Sequence, residues 1–260
     1  MIITSIIYWC IDKRAGQRML YSLTGNIALN GAIKDYFKIE RPIGKYGLKS
    51  MRVETATGYS FPSGHTQTAT TFWTSIVILF KKKWLKILAV LMVTGAGLSR
   101  LYLAVHWPLD VILGFILGIL FTIFLIKILD RAEISGKYTE MFLLLIPFAI
   151  MAIILKSNEY VKFFALIFGF TVGYFLEKEY ISFDTINIKN LNKKEIIIKS
   201  SIRFIVGILS LALVYIVPKF ILYNIYLKNN ISMIIDFCRY SFVVIWGVAG
   251  APYVFKKLNI

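Results

Sequence analysis

His106 stands four residues before Asp110 in the run Ser99-Arg100-Leu-Tyr-Leu-Ala-Val-His106-Trp-Pro-Leu-Asp110. On a helix that spacing brings a carboxylate to an imidazole across one turn. A carboxylate accepting one ring N–H fixes the tautomer and leaves the other nitrogen free to attack an electrophile. Arg100 would add positive charge for the oxygens of a phosphoryl group. A capped helix start with a His–Asp hydrogen bond accounts for the same residues without chemistry.

Two further runs invite an anion. In Lys34-Asp-Tyr-Phe-Lys38-Ile-Glu-Arg41-Pro42 the cations fall at i, i+4 and i+7, so a helix places Lys34, Lys38 and Arg41 on one face. Pro42 disfavours helical geometry at Arg41 and is expected to end that helix there. Arg forms bidentate hydrogen bonds to phosphate and Lys supplies a point charge, although anchoring at lipid headgroups suits these residues too. The second run is Phe61-Pro62-Ser63-Gly64-His65, leading into an apolar stretch. Pro62 suits a first helical position, Gly64 lets a ligand approach the backbone, and the free N–H groups with the Ser63 hydroxyl would hold an anion. An ordinary interfacial helix start, with His65 as a polar cap, is the competing reading.

The elements that must carry these residues follow from composition. The chain has 260 residues, 58% of them hydrophobic, and a mean hydropathy of +0.70. A polytopic membrane protein of all-α class is expected. A bilayer span takes roughly 17–25 residues, and candidates lie at 17–37, 62–80, 84–104, 108–129, 139–155, 160–176, 202–223 and 238–255. Met1 to Ile11 is apolar but short, giving a helical bundle of about nine spans whose first is short or truncated. Tyr180 to Lys199 is the longest polar stretch and reads as a loop or surface helix. Residues 1–138 are expected to form the catalytic core, and residues 139–260 to add transmembrane helices to the same structural unit. No cleavable signal peptide is recognisable. Cys10 and Cys238 lie beside apolar runs with no metal-ligand or redox spacing, and are read as packing residues.

There are 30 Lys and Arg against 14 Asp and Glu, a formal net charge of +16. In a chain this apolar, that excess points to orientation in a bilayer and contact with anionic headgroups rather than to nucleic acid. Lys13, Arg14 and Arg18 must share a side with Lys81, Lys82, Lys83 and Lys86. So must Arg131 and Lys137, then Lys178, Lys189, Lys193, Lys194 and Lys199, and finally Lys256 and Lys257. That side is assigned to the cytoplasm, with the N-terminus outside. The segment Lys34 to Arg52 falls outside despite its six cations, Lys34, Lys38, Arg41, Lys45, Lys49 and Arg52. All three reactive runs then meet at one membrane face.

Taken together, Lys-x6-Arg-Pro, Pro-Ser-Gly-His and Ser-Arg-x5-His-x3-Asp resemble the signature of the type 2 phosphatidic acid phosphatase superfamily, with every position filled between Lys34 and Asp110. The superfamily takes in lipid phosphate phosphatases, undecaprenyl-diphosphate phosphatases, glucose-6-phosphatase and vanadium haloperoxidases. The topology is most similar to the glucose-6-phosphatase and sphingosine-phosphate phosphatase branches. The resemblance implies a phosphatase acting on a lipid phosphate or diphosphate through a phosphohistidine, with no metal and no cofactor. It implies that Lys34, Arg41, Ser63, Gly64 and Arg100 hold the phosphate. His106 would be the nucleophile, Asp110 its orienting partner and His65 the acid for the leaving oxygen. Alternatives are a phosphotransferase sharing the first step, a vanadate-dependent haloperoxidase, and a lipid transporter or scramblase. Transporters usually place polar residues near the bilayer midplane, whereas these cluster at span ends. The expected location is the cell membrane, multi-pass, with the site on the extracytoplasmic side. The partners expected are the bilayer and a lipid phosphate; no oligomeric state is read from the sequence. Arg203, Asp236 and Arg239 are the ionisable positions of note in the second half, read as interfacial anchors.

Overall fold

Long apolar runs punctuated by charged and helix-terminating residues fold into helices wherever the sequence places them. The computed structural model describes residues 2–45, 47, 49–185, 192–221 and 232–260, and contains no β-strand among them. The helices are α1 (Ile2–Ile6, running into a π turn, Ile7–Ile11), α2 (Lys13–Phe37), α3 (Gly64–Phe80), α4 (Lys83–Tyr102) and α5 (Pro108–Ser135). They continue with α6 (Thr139–Leu143), α7 (Leu145–Leu155) and α8 (Asn158–Leu176, with a π turn to Ile181). The last are α9 (Lys193–Ile221), α10 (Ser232–Ile245, with a π turn to Gly250) and α11 (Ala251–Leu258).

Among the described residues, five stretches are long and apolar enough to cross a bilayer: Lys83–Tyr102, Pro108–Ser135, Asn158–Ile181, Lys194–Pro218 and Ser232–Leu258. Thr139–Leu155 is a shorter apolar helix. The chain is thus a helical, multi-pass membrane protein, and a helix stands at each position where a span is expected. The N-terminal helix and its π turn cover ten residues, about 15 Å at 1.5 Å per residue, which is half the roughly 30 Å hydrocarbon core. Its Tyr8 and Trp9 are fully buried, and hydrogen-bond the carbonyls of Val248 (2.6 Å) and Gly247 (3.0 Å).

α2 is the central column. Its polar residues face inward, against α3 and α5. Asn30 Nδ2 donates to Gln67 Oε1 (2.8 Å), Gln67 Nε2 to Asn26 Oδ1 (3.0 Å), and Asn26 Nδ2 to Thr122 Oγ1 (3.2 Å). All four side chains are buried, so each bond replaces a partner that hydrocarbon would not supply. Gly114 and Gly118, four apart on α5, allow its backbone to close on α3. A Cβ at Gly114 would lie 2.8 Å from the Ser63 carbonyl oxygen, and one at Gly118 2.7 Å from Thr70 Cβ. This GxxxG approach lets the Asp110 carbonyl accept from Ser63 N at 2.9 Å.

Ion pairs close the opposite end. Lys13 meets the fully buried Glu177 at 2.6 Å, Arg18 meets Glu133 at 2.8 Å, and Lys178 meets Glu133 at 3.1 Å. They join the start of α2 to the ends of α5 and α8. α2 has 25 residues, about 37 Å, so these ion pairs and the residues at its other end are separated by more than the roughly 30 Å hydrocarbon core.

Several expectations are corrected. The first cationic helix ends at Phe37, not at Arg41, because Lys38 adopts a left-handed conformation (φ 51°) and caps it through its N–H to Lys34 O. Lys38 is therefore exposed and Arg41 lies outside the helix, so the three cations share no helical face. Helix α3 starts at Gly64 with Ser63 as its cap, which leaves Pro62 outside the first turn. The polar stretch from Tyr180 holds the end of a π turn and then the first turns of α9; its residues 186–191, Lys189 included, lie outside the described residues, as do the last two of the span expected at 202–223. Arg203 and Asp236, read as anchors to lipid headgroups, are buried and contact protein groups instead. Arg203 donates to the carbonyl oxygens of Trp9 (3.0 Å) and Ile260 (2.6 Å), while Asp236 pairs with Arg239 (3.3 Å) and Lys162 (3.5 Å). Cys238 is exposed on α10, not packed.

Candidate active site

The site forms where the C-terminal end of α2, the loop from Lys38 to Ser63, the first turn of α3, the last turn of α4 and the start of α5 converge. Each element delivers its residue for a local reason. Pro108 opens α5 with Trp107 as N-cap, and Asp110 at the third helical position turns its carboxylate back to accept from Trp107 N at 2.8 Å. The same oxygen, Oδ2, accepts from His106 Nδ1 at 3.1 Å. His106 and Asp110 are 5% and 2% exposed, so the pair is held with water excluded from one side.

A third residue completes the cluster. Ser60, fully buried, donates its hydroxyl to Asp110 Oδ2, and its Oγ lies 3.3 Å from His106 Nδ1. Its backbone N–H is fixed by the Ile39 carbonyl at 2.7 Å. Sequence reasoning missed Ser60. Its only signal was adjacency to Phe61-Pro62-Ser63, since its partners are 46 and 50 residues away.

Arg41 crosses the site from the loop, just before Pro42. Its guanidinium donates to the carbonyls of Gly58 (2.9 Å), Thr57 (2.8 Å) and Val105 (2.9 Å), and its Nη1 lies 3.0 Å from His106 Nε2. A guanidinium has only donors, so Nε2 must be the acceptor in this contact. The ring proton therefore sits on Nδ1, facing Asp110, and the Nε2 lone pair faces the cavity. Burial, assisted by the charges of Arg41 and Lys34, holds the imidazole below its ordinary pKa of 6.5 against the opposing pull of Asp110.

Lys34, in the last turn of α2, reaches the carbonyls of Tyr59 (2.6 Å) and Ser60 (3.3 Å). Arg100, in the last turn of α4, is steadied by Ser99 Oγ at 3.2 Å. Of the sequence-predicted residues, Lys34, Arg41, Gly64, His65, Arg100 and His106 line one cavity of about 1180 Å³. Asp110 stands behind His106. Ser63 is buried behind the first turn of α3, where its hydroxyl accepts from Thr66 N (3.4 Å) and Thr66 Oγ1 (3.0 Å) as a cap. The cavity then runs from these polar groups along α2 and α3 to Leu23, Ile27, Phe72 and Ile3. Among the described residues no group of three or more His, Cys, Asp or Glu is placed to hold a metal ion.

Comparison with known proteins gives matches to two family models. Residues 16–134 match the PAP2 superfamily, and residues 161–260 match the transmembrane extension of PAP2 superfamily phosphatases. The undecaprenyl-diphosphatase of Sulfolobus acidocaldarius is 39% identical over 106 residues, 41% of this chain and 51% of that protein. Phosphatidylglycerophosphatase B of Bacillus subtilis is 31% identical over 125 residues, 45% of this chain and 58% of that protein. Sphingosine-1-phosphate phosphatase 1 of Rattus norvegicus is 26% identical over 145 residues, 52% of this chain and 34% of that protein. The chain thus spans about half the length of the first two relatives and a third of the last. No solved structure matches.

Proposed function

The chain belongs to the PAP2 superfamily, and on that premise we propose that it is an integral-membrane phosphatase that hydrolyses a lipid phosphate or diphosphate through a phosphohistidine on His106. The observation that carries the reading is the unprotonated Nε2 of His106, held by Arg41 and backed by Asp110 and Ser60, at the cationic end of a cavity whose other end is apolar.

Arg41 Nη1 donates to the Nε2 lone pair. An incoming phosphoryl group takes over the guanidinium, with Lys34, Arg100 and the first-turn N–H of Gly64 on its other oxygens. Nε2 then attacks phosphorus in line and forms the P–N bond as the bond to the leaving oxygen breaks. His65, the other imidazole on the cavity wall, enters as the imidazolium, gives its proton to that oxygen and is left neutral. The positive charge gained by the His106 ring is balanced by Asp110 through Nδ1–H. Water, deprotonated by His65, next attacks phosphorus, the P–N bond breaks, and inorganic phosphate leaves. The cations stabilise charge on the equatorial oxygens in both steps, the largest contribution expected. Ser63 acts indirectly, by capping the turn that presents Gly64 and His65.

The site opens at the end of α2 opposite Lys13, Arg18, Lys178 and Lys256, and this cation distribution supports an extracytoplasmic site. A lipid there enters sideways, keeping its tail in hydrocarbon. The test is phosphate release by purified protein in detergent from undecaprenyl diphosphate, phosphatidate, phosphatidylglycerol phosphate and a sphingoid phosphate, against a soluble sugar phosphate. A much higher kcat/KM for a long-chain lipid is expected, with no turnover by His106→Asn. Preference for the sugar phosphate refutes the lipid assignment, and an active His106→Asn refutes the nucleophile.

A further inference from the structure

The transmembrane extension reaches the site. Glu159 and Phe163, one turn apart at the start of α8, line the same cavity as His65 and His106. Phe163 falls within the stretch that matches the extension model, whereas every residue of the phosphate end falls within the other match. The ring of Phe163 is pressed onto the backbone of α2: a Cβ at Gly31 would lie 2.4 Å from Phe163 Cδ2 and 3.2 Å from Cε2. Gly31 precedes Lys34 by one turn, about 5 Å along the helix axis. Phe163 therefore stands just below the cationic end, beside the point where the first carbons behind a bound phosphate must pass. From there α2 carries the cavity down to Leu23, eleven residues or about 16 Å from Lys34.

We infer that Phe163 is a specificity-determining residue: α8 of the extension sets the width of the cavity at the head-proximal carbons, and admits one chain there in preference to two. This rests on the lipid phosphatase reading above. The glycine at position 31 fits it, because any side chain there would drive the ring from its seat. A planar aromatic wall next to the phosphate leaves the catalytic groups untouched and acts on the substrate's shape alone. A difference of one or a few methylenes at such a wall changes kcat/KM by roughly tenfold or more.

The experiment compares kcat/KM for dodecyl phosphate, with one chain, and dioctanoyl phosphatidate, with two, in the full-length protein and its Phe163→Ala, Phe163→Leu and Phe163→Trp variants. The ratio of two-chain to one-chain turnover should rise about tenfold in Phe163→Ala, rise less in Phe163→Leu, and fall in Phe163→Trp. A purely structural role would depress both substrates in the same proportion, and that result, or an unchanged ratio, overturns the inference. Should Phe163→Ala not fold, the opposite shifts of the leucine and tryptophan variants decide it. If the unaltered protein hydrolyses p-nitrophenyl phosphate but neither lipid, the lipid reading has failed and this inference falls with it.

Discussion

Replacing Asp110 by Asn removes one charge and almost no volume, and so tests the catalytic reading at its most exposed point. Three donors converge on Oδ2: Ser60 Oγ, Trp107 N at 2.8 Å and His106 Nδ1 at 3.1 Å. Asparagine can still accept from Trp107 N, so the start of α5 should survive. What it cannot do is balance the positive charge that His106 gains on attacking phosphorus. A hydrogen bond to a charged group is worth about 1.5–3 kcal/mol, or roughly 10- to 150-fold in rate at 1.36 kcal/mol per decade. If the new NH2 turns to His106, Nδ1 must accept and the proton moves to Nε2. That removes the attacking lone pair and sets two donors, Arg41 Nη1 and Nε2–H, against each other at 3.0 Å. Wrong-tautomer substitutions of this kind reach about 10⁴-fold. Turnover at saturating substrate should thus slow by roughly one to four orders of magnitude. KM should change little, because Asp110 stands behind the cavity wall. Phosphate release in detergent micelles at saturating lipid measures it, with rapid-quench trapping of phosphoprotein to show that formation of the intermediate has slowed. Turnover within tenfold of the unaltered protein, or a loss confined to KM, would refute the His106–Asp110 assignment.

If His65 protonates the leaving oxygen, His65→Ala should slow an alkyl phosphate far more than p-nitrophenyl phosphate, whose phenolate leaves unaided; equal losses would mean that His65 only binds. In a His65→Asn background a single imidazole remains, since the chain has two histidines. Its NMR titration should have a midpoint below the ordinary 6.5, because burial disfavours the imidazolium, so His106 stays neutral and competent into mildly acidic solution; a midpoint at or above 6.5 overturns this. Vanadate, which adopts the five-coordinate geometry of the transition state, should compete with substrate, and EDTA should leave activity intact; a metal-reversible EDTA loss would contradict the mechanism. For the side of the membrane, Lys49→Cys should react with an impermeant thiol reagent in intact cells and Lys82→Cys should not, with Cys10 and Cys238 replaced by Ser; the reverse pattern inverts the topology.

Some of this was legible in the sequence because it is local. His106 and Asp110 meet because four residues span one turn, and Pro108 starts the helix that makes the turn. The helices appear where apolar runs predict them, since length and hydropathy are properties of contiguous residues. Loop charge predicted that the three motifs would meet, and residues from all three line one cavity. What tertiary structure alone decided depends on which distant segments touch. The i, i+4, i+7 spacing of Lys34, Lys38 and Arg41 fits one helical face, yet the chain leaves the helix at Lys38 so that Arg41 can reach carbonyls at residues 57, 58 and 105. Ser60 joins the His–Asp pair through partners 46 and 50 residues away, bonds that no periodicity encodes. Arg203 and Asp236 looked like anchors because each is a charge in an apolar run; burial turned them into ties between helices. Phe163, in sequence one apolar residue among many, becomes part of the site only because Gly31, 132 positions earlier, leaves its ring a place to sit.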